Sequence, residues 1–153
     1  MPDLLVKLYS LKQPPLPSSG IELRRAFAAE KRLVCDWVAQ HFGGNWSSEC
    51  GAAFARMPAA CFVAVRDREL LGFACYDATA RGFFGPAGVA PAERNHGIGA
   101  ALLSATLHDM AHQGYAYAII GAADSVEFYR KEAGAIEIPD SDPGFYRGKI
   151  KRE

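Results

Sequence analysis

The sequence VAPAERNHGIGAALL, at Val89–Leu103, decides the fold of this chain. An apolar strand ends, Arg94 follows, and the glycines Gly97 and Gly99 then open an amphipathic helix. The N–H groups at a helix start lack intrahelical acceptors, and the helix dipole adds partial positive charge there. The first turn, Ile98–Ala101, carries no acid, and glycine lets the backbone approach a ligand closely. The segment therefore predicts a site for a phosphate-bearing ligand from outside the chain.

The whole chain has 153 residues, a formal net charge of zero and 50% hydrophobic residues. This length predicts one domain, residues 1–153, with a core of its own. No basic stripe is visible, so nucleic acid is not an expected partner. No apolar run approaches a membrane span, and the first residues lack the basic segment of a secretion signal. We expect a cytoplasmic protein that is a monomer or a homodimer.

The four cysteines are widely spaced, and none forms a Cys-x-x-Cys pair; they are Cys35, Cys50, Cys61 and Cys75. Cys61 and Cys75 lie within apolar runs. This pattern predicts reduced, partly buried thiols and argues against a disulfide framework or a zinc site.

Hydrophobic spacing predicts a mixed α/β fold. The predicted strands cover Asp3–Tyr9, Ala60–Val65, Glu69–Asp77, Phe83–Ala90 and Tyr115–Ile120, with Asp67 starting a tight turn. The predicted helices cover Ile21–Phe42 in one or two pieces, a segment capped by Ser47 or Ser48 that ends before Pro58, Gly97–Gln113 and Asp124–Ala133. The proline-rich segment Lys12–Ser19 is expected to be an extended surface loop, with a proline-recognition ligand as the alternative. The tail Ile136–Ile150 is expected to return to the sheet edge.

The strand Phe83–Ala90 contains Gly85, Pro86 and Gly88, so we expect it to be bulged or splayed. A splayed strand leaves backbone groups free to pair with a ligand. The order strand, helix, strand predicts a right-handed crossover and a parallel pair with Tyr115–Ile120. The loop that joins the strand Phe83–Ala90 to the helix start at Gly97 is called the anion loop below. It then lies at the carboxyl end of this strand, where ligands of α/β sheets usually bind.

Two motifs carry a family resemblance. The residues Arg94–Gly99 match the pattern Q/R-x-x-G-x-G/A, and the sequence VEFYRKEAGA at Val126–Ala135 resembles a second signature, a helix with Phe-Tyr that ends near Gly. Through them Cys61–Ala135 resembles the GCN5-related N-acetyltransferase (GNAT) family. The resemblance implies a GNAT-like α/β (α+β) fold. It has a mixed, mostly antiparallel, twisted sheet of about six to seven strands, a parallel splayed pair at the cofactor site and helices on both faces. An acyl-CoA-binding core would span about 60–135, and variable substrate-side helices about 21–57.

The resemblance also implies an acyltransferase that moves an acetyl group from acetyl-CoA directly to the amine of a small-molecule or peptide acceptor, leaving CoA as product. It assigns cofactor binding to Val89, Ala90, Arg94, Asn95, His96, Gly97, Ile98, Gly99, Ala100 and Tyr129. Tyr129 is also the expected catalytic residue. A phenol has a pKa of about 10 and a thiol about 8.5, so a protonated tyrosine can donate a proton to the departing thiolate.

The sequence departs from the family pattern at two places. Many relatives carry Asn where this chain has Ala122, and many carry a Glu on the strand Phe83–Ala90, which here has no carboxylate. The base that takes the proton of the amine is therefore open. The candidates are Asp77, Glu49, Asp124, His96 and a relay of ordered water. Each side chain also has a structural interpretation. Asp77 can end its strand, and Glu49 can be an acid in the first turn of a helix. Asp124 can be a helix N-cap that forms a capping box with Glu127, and His96 can contact the cofactor.

Three other functions compete with this interpretation. A dinucleotide-binding enzyme would need a third small residue where Leu102 stands. A metalloprotease is suggested by His108-Asp109-x-x-His112, although Asp replaces the usual Glu and solvent-facing histidines are the ordinary outcome. A non-catalytic acyl-CoA-binding sensor or partner module is the third. No metal is expected. The aromatic residues of the N-terminal third can belong to the core or line the acceptor pocket, and we favour the core; they are Trp37, Phe42, Trp46 and Phe54.

Overall fold

The computed structural model describes residues 1–151 and contains seven strands and four α-helices. The strands are β1 Leu4–Lys7, β2 Glu22–Arg25, β3 Cys61–Arg66, β4 Glu69–Tyr76, β5 Phe83–Val89, β6 Tyr117–Ile120 and β7 Ile136–Glu137. The helices are α1 Lys31–Phe42, α2 Gly44–Ala53, α3 Ile98–His112 and α4 Val126–Ala133. None of the helices in this part of the chain has the length and hydropathy needed to cross a membrane.

One sheet holds all seven strands in the order β2-β3-β4-β5-β6-β1-β7. Neighbouring strands are antiparallel, except for the parallel pair β5 and β6. The mixed, mostly antiparallel sheet with one parallel pair is thereby confirmed. The N-terminal strand β1 lies between β6 and β7, where Leu4 pairs with Ile120 on one side and with Glu137 on the other.

Helices cover both faces of the sheet, as expected. Gly72 and Phe73 are neighbours on β4 and therefore face opposite sides. A Cβ at Gly72 would lie 3.1 Å from Leu102 of α3. The Phe73 ring instead packs against Trp37 of α1 and Trp46 of α2, with ring centroids 6.2 and 6.4 Å away. The helices α1 and α2 thus cover one face and α3 the other.

The predicted helix Ile21–Phe42 begins only at Lys31, and Glu22–Arg25 forms β2 instead. This segment is rich in good helix formers, but its backbone pairs antiparallel with β3, and such tertiary contacts override a weak local preference. The Arg24 side chain binds the Glu30 carboxylate at 2.7 Å, just before α1 begins at Lys31.

Three predictions about helix ends are also wrong. The helix α2 begins at Gly44 after Gly43, so Ser47 lies inside it and its hydroxyl donates to the Cys35 carbonyl. Glu49 is likewise beyond the first turn of α2. The N-cap of α4 is Ser125 rather than Asp124, and its side chain makes no capping hydrogen bond.

The other predicted strands and helices are confirmed, with ends that differ by at most two residues. The tight turn is present, with φ of 51° at Asp67 and 67° at Arg68, which matches the hairpin turn between β3 and β4. The segment 12–18 contains no helix or strand, and the tail reaches the sheet edge as β7.

Candidate functional site

The strands β5 and β6 are paired only over two residues, where the amino end of β5 lies beside the carboxyl end of β6. Phe83 pairs with Ile119 and Phe84 with Ile120, and the ladder then stops, while β5 continues alongside β4 as far as Val89. A register shift between Ala74 and Tyr76 of β4 accompanies the divergence. The predicted splay is therefore present, and it opens toward the carboxyl end of β5.

Val89 and Ala90 were both expected to offer free backbone groups at this end of β5. Only Val89 has its N–H and carbonyl free of the sheet. The Ala90 N–H donates to the Leu71 carbonyl at 2.9 Å, and the Ala90 carbonyl accepts from the Glu93 N–H, so the expectation for Ala90 is corrected. Hydrogen-bonded and non-hydrogen-bonded pairs alternate along an antiparallel ladder. Val89, opposite Gly72, therefore directs its N–H and carbonyl away from β4 and toward the splay.

The loop after β5 presents a row of free N–H groups. Left-handed backbone at Asn95, with φ of 69°, and at Gly97, with φ of 76°, turns the chain into α3. The first internal bond of α3 is donated by Ala101 to the Gly97 carbonyl at 3.1 Å. Within residues 1–151, the N–H groups of Ile98–Ala100 have no backbone acceptor, which is the arrangement that binds an anion.

The charges around this loop favour an anion. The Arg94 side chain is exposed, and its Nε lies 3.3 Å from the Val89 carbonyl. The one acid of the loop, Glu93, is held by Arg66 at 3.0 and 2.5 Å, and this contact lowers the pKa of the Glu93 carboxyl. His96 is exposed and lies 3.9 Å from Glu93. The Glu93 charge is thus compensated, and Arg94 supplies an available cation.

Tyr129 of α4 packs beside the base of the splay. Its ring meets Phe84 edge to face at 6.1 Å between centroids. The adjacent Phe128 ring would lie 3.9 Å from a Cβ at Gly99, so α4 sits against the start of α3. Burial, with a smaller effect from Asp124, raises the pKa of Tyr129 to about 12. No group within residues 1–151 hydrogen-bonds to the Tyr129 hydroxyl, and since no fully buried polar atom in this part of the chain lacks a partner, the hydroxyl keeps some accessible surface.

Asp77, one of the carboxylates considered as bases, is already occupied by structural hydrogen bonds. Asp77 accepts hydrogen bonds from Arg56 at 2.5 Å, from the Tyr115 hydroxyl at 2.7 Å and from the Gly82 N–H at 2.7 Å. Gly82 precedes β5, so Asp77 lies at the end of that strand farthest from the anion loop, about 20 Å away for seven residues.

Glu49 accepts from the Tyr146 hydroxyl at 2.5 Å and from Thr79 at 3.1 Å. Asp124 and His96 are exposed. The structure therefore brings none of the candidate side chains to the splay as a free buried base.

An aromatic cluster faces the splayed strand from the α1–α2 side. A Cβ on Gly88 would overlap the Phe42 ring, with Cε2 only 2.7 Å away. Phe42 stacks on Trp46 at 5.1 Å, and both rings are half-buried against the core, as are Trp37 and Phe54. The preference for a core role is confirmed, and Phe42 and Trp46 also form the wall nearest β5.

The His108–His112 motif has a structural explanation. Asp109 binds Arg25 at 2.8 Å and the Tyr76 hydroxyl at 2.6 Å, and His108 Nδ1 lies 2.8 Å from the Ser104 carbonyl. Among the described residues, the one cluster of three potential metal-ligating side chains consists of cysteines.

Two contacts that the sequence did not predict tie the N-terminal loop to the site. The Ser18 hydroxyl donates to the His96 carbonyl at 3.1 Å, and Lys12 Nζ donates to the Lys131 carbonyl of α4 at 3.1 Å. The partners are 78 and 119 residues apart, so no local spacing could have revealed them.

Comparison with known proteins places this arrangement in a family. Residues 31–135 match the acetyltransferase (GNAT) family, and because this is more than half of the chain, the chain belongs to that family. The search of curated protein sequences gave no significant match.

Solved structures share the fold. A GCN5-related N-acetyltransferase from Sphaerobacter thermophilus has a TM-score of 0.70 and 22% identity over 90% of this chain and 48% of that chain. One from Kribbella flavida has a TM-score of 0.64 and 22% identity over 89% and 53%. A diaminobutyrate acetyltransferase from Paenibacillus lautus, in complex with L-2,4-diaminobutyric acid and coenzyme A, has a TM-score of 0.55 and 18% identity over 72% and 70%. This chain spans about half the length of the first two.

Proposed function

We propose that this protein is an acetyl-CoA-dependent N-acetyltransferase that transfers the acetyl group directly to an amine. The observation that carries the proposal is the row of unpaired N–H groups at Ile98–Ala100, beside Arg94 and at the end of a splayed strand. Acetyl-CoA supplies the acetyl group as a thioester, joined to an amide-rich arm and a pyrophosphate. These are the two kinds of group that the splay and the loop can bind.

Each part of the loop has a role in holding the donor. The N–H groups of Ile98, Gly99 and Ala100 donate to the pyrophosphate, and Arg94 neutralises it. The N–H and carbonyl of Val89 pair with the amides of the arm, as in the addition of a strand to a sheet edge. Val89 takes this role alone, since both backbone groups of Ala90 are bound within the protein, whereas the Val89 carbonyl has only a long contact with Arg94, at 3.3 Å, which a ligand amide can join or replace.

Tyr129 delivers a proton to the departing thiolate. A phenol whose pKa is about 12 is fully protonated at neutral pH, and its hydroxyl is free of competing protein partners. Removal of the proton from the amine is assigned to ordered water, because Asp77 and Glu49 are occupied by structural hydrogen bonds. The acceptor reaches the strand from the α1–α2 face, past Phe42 and Trp46, since α3 covers the opposite face.

A second candidate is a non-catalytic acyl-CoA-binding module. The absence of a carboxylate from β5 and the alanine at position 122 favour it. Both candidates require the same donor site, so binding alone does not separate them.

A thiol-release assay with acetyl-CoA and a panel of amines tests the proposal. The panel includes diamines, amino acids, amino sugars and peptides with free N-termini. We expect CoA to raise the melting temperature and at least one amine class to release free thiol. Stabilisation by CoA without thiol release from any amine would establish the binding module. Absence of CoA binding would refute both candidates.

A further inference from the structure

The four cysteines of the chain lie together beneath α1 and α2. Cys35 comes from α1, Cys50 from α2, and Cys61 and Cys75 from β3 and β4. The sulfur atoms of Cys50, Cys61 and Cys75 lie within 4.8 Å of one another, and all three residues are buried. Cys35 is half-buried, and burial together with the nearby Cys50 raises the pKa of its thiol to about 11. The sequence predicted reduced, partly buried thiols and no zinc site, and the wide spacing gave no sign that the fold would bring three of them into one cluster, Cys50-Cys61-Cys75, called the three-thiol cluster below.

Two of the three sulfurs are held by a rigid ladder. Cys61 and Cys75 are directly opposite in the β3–β4 pair. The Tyr76 N–H donates to the Ala60 carbonyl at 3.0 Å, so the neighbouring Cys61–Cys75 pair is a non-hydrogen-bonded one, with Cα atoms about 4.5 Å apart. Cys50 approaches this pair from α2. Only small movements would bring the three sulfurs onto one central ion.

The surroundings of the cluster are apolar and carry no compensating charge. Cys61 makes a long hydrogen bond to the Phe62 carbonyl, at 3.8 Å, and among residues 1–151 no hydrogen bond joins a cationic side chain to the three sulfurs. Burial raises the pKa of the Cys75 thiol well above its usual range, so this thiol stays protonated when no ion is bound.

Because no positive side chain within residues 1–151 compensates charge at the three sulfurs, the charge of the bound ion must balance that of the three thiolates. An uncompensated charge is costly in an apolar interior, so a complex buried here must be close to neutral. Three thiolates leave one negative charge on a divalent ion and none on a trivalent ion. Thiolates also select soft ions over hard ones.

We propose that Cys50, Cys61 and Cys75 form a binding site for one trivalent thiophilic ion of the arsenic(III) class. Arsenous acid gives three As–S bonds, and its three As–O bonds break. The three thiol protons leave with the hydroxides as three water molecules, and no atom changes oxidation state. Cys35, the one cysteine with exposed surface, lies beside Cys50 and offers a first sulfur for ligand exchange into the cluster.

Native mass spectrometry of the reduced, full chain incubated with arsenite tests the site. We expect one arsenic per chain and a mass change equal to one arsenic atom minus three hydrogens. The matched control, Cys35→Ala, should give the same change, because Cys35 lies outside the three-thiol cluster. Loss of only one or two hydrogens, no adduct, or loss of the adduct in Cys35→Ala would overturn the proposal.

Thermal unfolding provides a second measurement. Three bonds that join α2 to β3 and β4 should raise the melting temperature of the wild type and of Cys35→Ala, and the increase should vanish in Cys50→Ala. The wild-type mass change decides the matter if Cys50→Ala does not fold. Incubation with Zn²⁺ instead should give no retained metal after desalting, and retention of zinc in preference to arsenic would overturn the trivalent assignment.

Discussion

Arg66 and Glu93 form a two-point ion pair at the edge of the anion loop, with N–O distances of 3.0 and 2.5 Å. Arg66 ends β3, and Glu93 lies in the loop that follows β5. The pair compensates the charge of Glu93, the acid in the loop that contains the free N–H groups, and under the proposed function it thereby favours an incoming phosphate. Arg66 of β3 thus affects the net charge at the loop after β5, although it is not part of that loop.

Removal of Arg66 should weaken donor binding. The Arg66→Ala variant leaves Glu93 unneutralised beside the loop, so we expect a severalfold increase in the Kd for CoA at low salt and less at high salt. Isothermal titration calorimetry measures both. The double variant Arg66→Ala/Glu93→Gln should recover most of the affinity. If it binds no better than Arg66→Ala, charge compensation is not the role of the pair.

The Tyr129→Phe variant should lower kcat by about a hundredfold or more while the Kd for CoA stays nearly constant, because only the proton donor is lost. A thiol-release assay and calorimetry give the two values. Unchanged turnover would remove Tyr129 from the mechanism.

The pH dependence of the wild type makes a further distinction. Since the pKa of Tyr129 is raised to about 12, the phenol is protonated below that pH, and its ionisation should cause no loss of activity up to pH of about 10. A fall in kcat near pH 9 that disappears in Tyr129→Phe would contradict this assignment.

The Gly99→Glu variant should abolish CoA binding, since it places bulk and negative charge beside the pyrophosphate. Gly99→Ala is its matched control. A Cβ there would have its nearest neighbours, Val89 and Phe128, at 3.8 and 3.9 Å, which is ordinary contact. We expect Gly99→Ala to fold and to keep most of its affinity. Normal CoA binding by Gly99→Glu, measured by thermal shift and calorimetry, would show that the loop does not hold the donor.

Gly88 and Phe42 should be coupled in stability. A Cβ at Gly88 overlaps the Phe42 ring, so Gly88→Ala should lower the free energy of unfolding by about 1–3 kcal/mol, as overpacking does. The cost should be smaller in a Phe42→Leu background, where the ring is gone. Urea denaturation of the four proteins in this cycle measures the coupling, and additive changes would mean that the two residues do not touch in solution.

The elements nearest the site were predictable because their signals are local. Two glycines, an arginine and an acid-free first turn define the start of α3 within a few residues. The run with Gly85 and Pro86 marks the splayed strand. The strand β2 was missed because its preference is helical, and only the backbone of β3, some forty residues later in the chain, makes it a strand.

The base could not be found from the sequence, since a carboxylate's availability depends on its partners. The sequence does not show which partners Asp77 has, but in the fold its carboxylate accepts hydrogen bonds from Arg56, from Tyr115 and from the Gly82 N–H. The same holds for Ala90, whose backbone groups are taken up by Leu71 and Glu93.

The sequence by itself determined the glycine-rich start of α3, the crossover from β5 to β6 and the family, because backbone angles, free N–H groups and helix periodicity depend on residues within one or two turns. Tertiary structure alone decided that Val89 faces the splay, that Arg66 neutralises Glu93 and that Cys50, Cys61 and Cys75 meet. Strand register and helix docking set these contacts, and both depend on segments far apart in the chain whose packing no local pattern encodes.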